Sequence, residues 1–169
     1  MSLDVVDTER GEWRAPSATA RRAILRRTLT IAVVGASGNP ARASNFVLTY
    51  LNSSSADYIV WPVNPRETEI LGLQVYPSLA DLPGAPDIVD VFRRPDDLPD
   101  VAREAVAVGA SVFWAQLGLH SDDAVRVAVE GGLEAVTNRC VKIEHARFSG
   151  GLNLAGFDTG VISSRRSRG

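Results

Sequence analysis

The sequence contains very little cysteine and histidine. One cysteine, Cys140, and two histidines occur among its 169 residues. A single thiol excludes an internal disulfide framework and leaves too few thiolates for a zinc or iron–sulfur site, so no metal centre is expected. Because proteins without disulfides suit a reducing compartment, we expect a cytoplasmic location.

Long apolar runs and a strong charge of either sign are also missing. No segment approaches the roughly 20 apolar residues of a membrane-spanning helix, and the first residues do not resemble a signal peptide, so no membrane association is expected. The formal net charge of −2 lacks the large positive field of a non-specific nucleic-acid binder. Arginines do cluster near both ends, at Arg21, Arg22, Arg26 and Arg27 and at Arg165, Arg166 and Arg168. We interpret these clusters as a solvated helix face and a tail, with a patch for nucleic acid or an anionic partner as the alternative.

Apolar residues make up 45% of the chain, which is enough for one domain with a substantial core. The sequence predicts three parts: an N-terminal extension over residues 1–28, one domain over residues 29–148 and a C-terminal tail over residues 149–169. In the extension, Ser17 is expected to cap a helix that runs to about Arg27.

Apolar, β-branched runs alternate with helical patterns through the domain. Strands are predicted over residues 31–35, 57–65, 73–77, 86–95, 111–118 and 133–138. Helices are predicted after the first strand, after Pro95, from a Ser121 cap to a C-terminal Gly131-Gly132 signal, and over residues 139–148. Because parallel strands need crossover connections, this order predicts a single Rossmann-like α/β domain. Its mostly parallel, doubly wound sheet would have five to six strands and helices on both faces.

The segment "GASGNPARAS" joins the first strand to the first domain helix and is rich in small residues. A glycine turn between a strand and a helix brings backbone N–H groups and the helix dipole to one point, which suits a phosphate. The alternative interpretation is that Gly35 and Gly38 only permit a tight turn.

The other strand ends carry arginines, amides and small residues, in "PVNPRE", "FRRP", "QLG" and "NRC". Ligands of such sheets bind beyond the carboxyl ends of the strands. Arg42, Arg93 and Arg139 can meet phosphates through planar guanidinium groups, and Ser37 and Ser44 add hydroxyl groups. The strand ends therefore predict a site for a polyanion.

The polyanion is not well matched by a nicotinamide dinucleotide. The dinucleotide fingerprint has glycine where this chain has Ser37, and an acidic residue near the end of the second strand, where this chain has Asn64 and Pro65. An NAD(P)-dependent oxidoreductase therefore remains only as the alternative function.

Five ordered motifs resemble the stand-alone CoA-binding domain proteins. They are "VVGASGNPARAS", "VWPVNPRETEILGLQVYPSLADLP", "DIVDVFRRP", "WAQLG" and "NRCVKIEHARF". The resemblance spans residues 29–148 and extends to the CoA-binding domains of succinyl-CoA synthetase α-subunits and NDP-forming acyl-CoA synthetases. It implies coenzyme A or an acyl-CoA as the ligand, lying across the strand ends.

The resemblance also implies where the ligand lies. Gly35, Ser37, Arg42 and Ser44 would lie near the pyrophosphate, Val63, Asn64 and Pro65 beside the nucleotide, and Arg93 and Gln116 to Gly118 along the rest of the groove. The full predicted set is Gly35, Ala36, Ser37, Asn39, Pro40, Arg42, Ser44, Val63, Asn64, Pro65, Arg93, Gln116, Leu117, Gly118, Arg139 and Cys140.

No catalytic residue is predicted. Acyl-CoA synthetases of this kind need an ATP-grasp module and a phosphorylatable histidine from a further domain, and the sequence shows neither. We interpret His120 as a loop residue at a helix start, and His145 or Lys142 as ties between the last helix and the sheet. The protein is expected to act as a carrier or sensor, or with a separate ligase or acyltransferase partner.

Cys140 has two interpretations. Asn138 is expected to cap a helix that begins near Arg139, which would place Cys140 in its first turn on the ligand edge of the sheet. There it could form a mixed disulfide with CoA. The alternative is a buried cysteine that packs as a small apolar residue.

Overall fold

The computed structural model describes residues 5–8, 11–53 and 56–149. The nine strands are β1 (Val5–Thr8), β2 (Gly11–Arg14), β3 (Thr30–Val34), β4 (Ile59–Val63), β5 (Glu69–Ile70), β6 (Leu73–Gln74), β7 (Ile88–Val91), β8 (Val112–Ala115) and β9 (Glu134–Val136). The five α-helices are α1 (Ala18–Arg27), α2 (Ala43–Leu51), α3 (Leu98–Ala107), α4 (Asp122–Glu130) and α5 (Val141–Ser149). Apart from Ser149, the predicted C-terminal tail and its arginines lie outside the described residues.

The central sheet has five parallel strands in the order β4-β3-β7-β8-β9. Apolar residues fill β3, β7 and β8, and these three strands lie inside the sheet with nearly all of their residues buried. The chain runs outward from β3 to β4 and then returns past β3 to β7. The predicted Rossmann-like α/β domain is confirmed, and its strand order reverses between β3 and β7.

One predicted sheet strand, over residues 73–77, is wrong. Only Leu73 and Gln74 are extended as β6, which pairs antiparallel with β5, and Tyr76 forms an isolated bridge to Val63. Leu71 and Gly72 have positive φ angles of 52° and 78°, so the chain turns back immediately before β6. The short hairpin lies outside the main sheet for that reason.

Several predicted helix ends are confirmed. The Ser17 hydroxyl accepts the Ala20 N–H at 3.1 Å, and the Ser121 hydroxyl accepts the Ala124 N–H at 3.1 Å. Gly132, with a φ of 91°, follows the end of α4. These local signals succeed because a cap depends on residues three or four positions apart.

Two clusters of apolar side chains cover the two faces of the sheet. The α3/α4 face packs α3, α4 and Trp13 of β2 on Val89, Val91 and Phe113. The α1/α2/α5 face packs α1, α2 and α5 on the opposite side chains of the same strands, and Trp114 is fully buried there. Trp61 is only half-buried, because β4 is an edge strand. None of the helices in the described part of the chain has the length and apolarity needed to cross a membrane.

Candidate functional site

Two cavities open side by side at the carboxyl ends of the strands. The first, which we call the polar cavity, has a volume of about 510 Å³ and is lined by Gly35, Ser37, Arg42, Ala43, Ser44, Asn64, Pro65, Arg66, Phe92 and Arg93. The second, which we call the apolar groove, has a volume of about 620 Å³. Its lining residues are Ala43, Phe46, Val47, Phe92, Arg93, Arg94, Pro95, Gln116, Leu117, Leu119, Cys140, Lys142 and Ile143. Because Ala43, Phe92 and Arg93 line both, the two cavities share a wall.

Gly35 begins the turn that leads from β3 into the polar cavity. Its φ is 86°, and a Cβ atom here would lie 2.3 Å from the carbonyl oxygen of Phe92. Its N–H donates to the carbonyl of Val63 at 3.0 Å, so the turn is held against both neighbouring strands. Glycine at this position is therefore required by the backbone itself, which is the structural interpretation of this turn.

The rest of the turn is held by its own side chains. The Ser37 hydroxyl accepts the Asn39 N–H at 3.0 Å, and the Asn39 side chain accepts the Ala41 N–H at 2.9 Å. Gly38 donates its N–H to the Glu67 carboxylate at 3.0 Å, and a Cβ on Gly38 would lie 2.8 Å from that carboxylate. Asn39 thus holds the turn through these hydrogen bonds, and neither Asn39 nor Pro40 lines either cavity.

The N-terminus of α2 opens into the polar cavity. Arg42 precedes the helix and makes no side-chain capping hydrogen bond. Within the described residues, the N–H groups of Ala43 and Ser44 have no acceptor. Both residues line the cavity, so two free donors and the positive end of the helix dipole face it.

Arginines supply the charge of the polar cavity. Arg42, Arg66 and Arg93 line it, and no carboxylate stands among the described lining residues. Asn64 positions this wall, because its Nδ2 donates to the Ala36 carbonyl at 2.7 Å and its Oδ1 accepts the Arg66 N–H at 2.7 Å. The cavity therefore offers both charge and backbone donors to an anion.

The apolar groove exposes large apolar side chains. Phe46, Leu117 and Ile143 are 60%, 62% and 46% exposed, and all three line this groove. Lys142, Arg93 and Arg94 add positive charge to its lining. A contiguous apolar surface with a cationic lining suits a ligand that is apolar over part of its length.

The start of α5 forms the far wall of the groove and differs from the prediction. Asn138 has a φ of 58°, and its Oδ1 accepts the Gly118 N–H at 2.7 Å, so it does not cap the helix. The Gln116 side chain does so instead, because its Oε1 accepts the Val141 N–H at 3.1 Å. Cys140 immediately precedes α5, and its carbonyl accepts the Glu144 N–H at 2.9 Å.

Ten of the sixteen predicted site residues line the two cavities. Seven line the polar cavity, namely Gly35, Ser37, Arg42, Ser44, Asn64, Pro65 and Arg93, and Arg93 continues into the groove with Gln116, Leu117 and Cys140. The other six, Ala36, Asn39, Pro40, Val63, Gly118 and Arg139, line neither. Of these, Ala36 and Val63 are buried, and Arg139 offers its carbonyl to the Trp114 indole N–H at 2.9 Å.

The cavities also contain residues that the sequence reasoning missed. Five of them lie inside the motifs "GASGNPARAS", "PVNPRE" and "FRRP" at the strand ends, namely Ala43, Arg66, Phe92, Arg94 and Pro95. The others are Phe46, Val47, Leu119, Lys142 and Ile143. Phe46 and Ile143 had no local signal, because packing of α2 and α5 on the same face brings them together.

Neither histidine lines the polar cavity or the apolar groove. His120 contacts Thr137 Oγ1 through Nδ1 at 2.8 Å and Asp122 Oδ1 through Nε2 at 2.7 Å, at the start of α4. His145 is buried, its Nδ1 lies 2.6 Å from the Tyr50 hydroxyl, and burial lowers its pKa. Among the described residues, no group of histidine, cysteine and acidic side chains could hold a metal ion.

Comparison with known sequences places the domain among similar proteins. A family model described as a CoA binding domain matches residues 29–146. The uncharacterized protein YneT of Bacillus subtilis (strain 168) is 41% identical over 131 residues, which is 78% of this chain and 96% of that relative.

Solved structures are similar over the same region. A hypothetical protein from Pyrococcus horikoshii OT3 has a TM-score of 0.75 at 39% identity, covering 79% of this chain and 92% of that one. A dinucleotide forming acetyl-coenzyme A synthetase 1 from Ca. Korarchaeum cryptofilum has a TM-score of 0.58 at 27% identity, over 64% of this chain and 26% of that one. The same fold thus occurs both in chains of similar length and within one much larger enzyme.

Proposed function

This chain belongs to the CoA-binding domain family, and we propose that it binds coenzyme A or an acyl-CoA across the polar cavity and the apolar groove. In this proposal the protein is a binding module that acts as a carrier or a sensor. The observation that carries it is the shared wall between two cavities of opposite character. CoA has the same division, since a phosphorylated nucleotide forms one end and an uncharged pantetheine arm with a terminal thiol forms the other.

The phosphate end is assigned to the polar cavity. Arg42, Arg66 and Arg93 supply guanidinium groups that can each meet two phosphate oxygens, and the free N–H groups at the start of α2 supply further donors. A ligand without phosphates would leave these charges without a partner.

The pantetheine arm is assigned to the apolar groove. Phe46, Leu117 and Ile143 expose apolar surface that the arm, or an acyl group attached to it, would cover. Covering that surface supplies a favourable free energy that the phosphate contacts alone do not provide.

An NAD(P)-dependent oxidoreductase is the second candidate, and the site geometry favours it less. Asn64 stands where an acidic residue would hold a ribose, and both of its side-chain polar atoms are already committed to the Ala36 carbonyl and the Arg66 N–H.

A partner supplies any ligase or acyltransferase chemistry in this proposal. The acetyl-CoA synthetase that this chain resembles is about four times as long as the region they share, since only 26% of that chain is covered. The CoA-binding domain would then present its ligand to a separate enzyme.

Isothermal titration calorimetry tests the proposal, with CoA, acetyl-CoA, NADH and NADPH as ligands. We expect CoA or acetyl-CoA to bind, and Arg42→Ala to weaken that binding by about ten- to a hundredfold, corresponding to about 1.5–3 kcal/mol. Arg42→Lys should recover only part of the loss, because an ammonium group cannot reproduce the planar contact.

The matched control is Arg103→Ala, which removes an exposed arginine of α3 that lines neither cavity and should leave affinity unchanged. Binding of NADH or NADPH without binding of either CoA compound would contradict the proposal. Equal CoA affinity of the wild type and Arg42→Ala would remove Arg42 from the site.

A further inference from the structure

The far wall of the apolar groove contains the only thiol of the chain. Cys140 lines the groove, is neither fully buried nor fully exposed, and immediately precedes α5. It forms no disulfide, and it packs in part against the α1/α2/α5 cluster while also lining the groove.

Gln116, which lines the same groove, has an unused hydrogen-bond donor. The residue is only 4% exposed, and its Oε1 is fixed by the Val141 N–H, which requires an oxygen as its acceptor. No described residue accepts from its Nε2. Among the described residues, only the two carboxyl oxygens of Asp90 are both fully buried and without a hydrogen-bond partner. The Gln116 Nε2, which has no partner among these residues, is therefore not fully buried. Because Gln116 lines the groove, a ligand carbonyl bound there could accept a hydrogen bond from this Nε2.

The relative position of the two cavities determines which end of a bound ligand would lie near Cys140. Ala43, Phe92 and Arg93 form the wall next to the polar cavity, whereas Gln116 and Cys140 come from β8 and the start of α5, farther along the sheet. A molecule with its phosphates in the polar cavity would extend its other end toward Cys140. The pantetheine arm contains amide carbonyls, which suit the Gln116 donor, and ends in a thiol.

We propose that Cys140 is a site of reversible thiol–disulfide exchange with the thiol end of CoA bound in the apolar groove. The proposal rests on the proposed function, because CoA binding is what brings the two sulfur atoms together. It gives the site a redox-dependent state in which the ligand is held covalently.

The co-reactant is CoA disulfide. The Cys140 thiol loses its proton to solvent, and its sulfur attacks one sulfur of the CoA disulfide. A bond forms between Cys140 and that CoA, the original sulfur–sulfur bond breaks, and the second CoA leaves as a thiolate that takes up a proton. Positive charge from Lys142, Arg93 and Arg94 along the groove favours the leaving thiolate.

Intact-mass spectrometry of the folded protein after incubation with CoA disulfide tests the proposal. We expect an increase by the mass of one CoA in the wild type, its reversal by dithiothreitol, and no increase in Cys140→Ser. Serine is a favoured residue immediately before a helix, so this variant is expected to fold.

Glutathione disulfide serves as the matched reagent without a nucleotide. Because binding raises the local concentration of the reactant, CoA disulfide should modify the protein at least about tenfold faster than glutathione disulfide at equal concentration. Arg42→Ala should slow the reaction with CoA disulfide but not the reaction with glutathione disulfide. An excess of acetyl-CoA, which would fill the groove beside Cys140, should slow both reactions.

Two results would overturn the proposal. One is modification of Cys140 only after denaturation, and the other is equal rates with both disulfides. Calorimetry with CoA on Cys140→Ser separates this failure from failure of the proposed function. If CoA binds that variant while the wild type forms no adduct, only the exchange reaction is wrong; if CoA binds neither protein, the proposed function is wrong.

Discussion

The two faces of the sheet are packed with different kinds of residue. Every buried residue of α3 and α4 is apolar. The helices of the α1/α2/α5 face, in contrast, bury polar groups, namely Arg21, Ser44, Asn45, Glu144 and His145. The buried carboxyl group of Asp90 faces the same side, because its neighbours Val89 and Val91 belong to the α3/α4 face.

This difference shows how the molecule combines stability with a defined site. Apolar packing is not directional, so the α3/α4 face stabilises the fold mainly through the burial of apolar surface. Hydrogen bonds and ion pairs have fixed geometry. Two of the three helices that carry them, α2 and α5, also line the cavities. Three pairs of variants and two single variants examine this comparison or its consequences for stability.

The largest effect is expected from the buried ion pair of the α1/α2/α5 face. Arg21 Nε lies 2.7 Å from Glu144 Oε1, and the two side chains are 8% and 4% exposed. Glu144→Ala would leave the Arg21 charge buried without its partner, so we expect a loss of about 3–5 kcal/mol in the free energy of unfolding. Urea denaturation measures it.

The control is the exposed Arg103–Asp100 pair of α3, whose side chains are 59% and 79% exposed. Asp100→Ala should cost no more than about 1 kcal/mol. The double replacement Arg21→Met with Glu144→Leu should recover most of the loss. Equal effects of Glu144→Ala and Asp100→Ala would contradict the contrast between the faces.

The next effect concerns the glycines that join strands to helices of the two faces. Gly35 and Gly132 both have positive φ, 86° and 91°, but a Cβ would meet the Phe92 carbonyl at Gly35 and nothing within 4 Å at Gly132. Gly132→Ala should therefore cost about 1 kcal/mol from backbone strain alone, and Gly35→Ala about 2–4 kcal/mol. Thermal unfolding of both variants checks this, and similar losses would show that the turn has room to adjust.

The third prediction concerns Asp90 and the dependence of stability on pH. Burial raises the pKa of Asp90 well above its ordinary value of 3.8, and neither carboxyl oxygen has a hydrogen-bond partner. Between that value and the raised pKa, the folded state binds one more proton than the unfolded state, so stability falls as pH rises, by about 1.4 kcal/mol per pH unit.

Asp90→Asn removes this titration, so the variant should gain stability relative to the wild type as pH increases from about 4. Denaturation at several pH values measures the difference between the two proteins. A difference that does not change with pH would show that Asp90 ionises equally in both states.

The smallest effect is expected from the ring cluster of the α1/α2/α5 face. The Tyr50 hydroxyl contacts His145 Nδ1 at 2.6 Å, and the Tyr58 ring lies 5.3 Å from the His145 ring. Tyr50→Phe removes one hydrogen bond and should cost about 0.5–1.5 kcal/mol. Tyr76→Phe is the control, because the Tyr76 hydroxyl has no hydrogen bond to the described residues, and it should cost less. A larger loss in Tyr76→Phe would contradict the role of the cluster.

A separate pH effect is expected from His145 in the same cluster. Burial lowers its pKa below the ordinary 6.5, so between the lowered pKa and 6.5 the unfolded state binds more protons than the folded state. Stability should therefore rise with pH in that window and be lost as pH falls through it. Replacing His145 with glutamine should remove this slope while the opposite slope of Asp90 remains, and denaturation of the single variants separates the two.

Most of the fold could be predicted from the sequence, and the reasons are local. The caps at Ser17 and Ser121 and the glycine after α4 depend on neighbouring residues, and the buried strands depend on their apolar runs. The segment 73–77 was wrong because its alternation resembles a strand, while its pairing depends on a turn at Leu71 and Gly72 and on the distance to β4.

The candidate site could be predicted only in part. Residues at strand ends, such as Arg42 and Arg93, were found because parallel strands bring their carboxyl ends to one edge. The role of Gln116 was missed, because it caps a helix that starts 25 positions later in the chain, and Asn138 was chosen in its place. Sequence proximity is a poor guide to such a contact.

The amino-acid sequence by itself determined the secondary-structure elements of this protein and the kinds of side chain at the ends of its strands. Periodicity, caps and glycine turns can do so because they act over a few residues. Only the tertiary structure decided that Gly35 contacts the end of β7, that Phe46 and Ile143 form one groove, and that Gln116 and Cys140 share its wall. These contacts join residues far apart in the chain. They arise from the packing of helices on a common sheet, which short-range patterns do not encode.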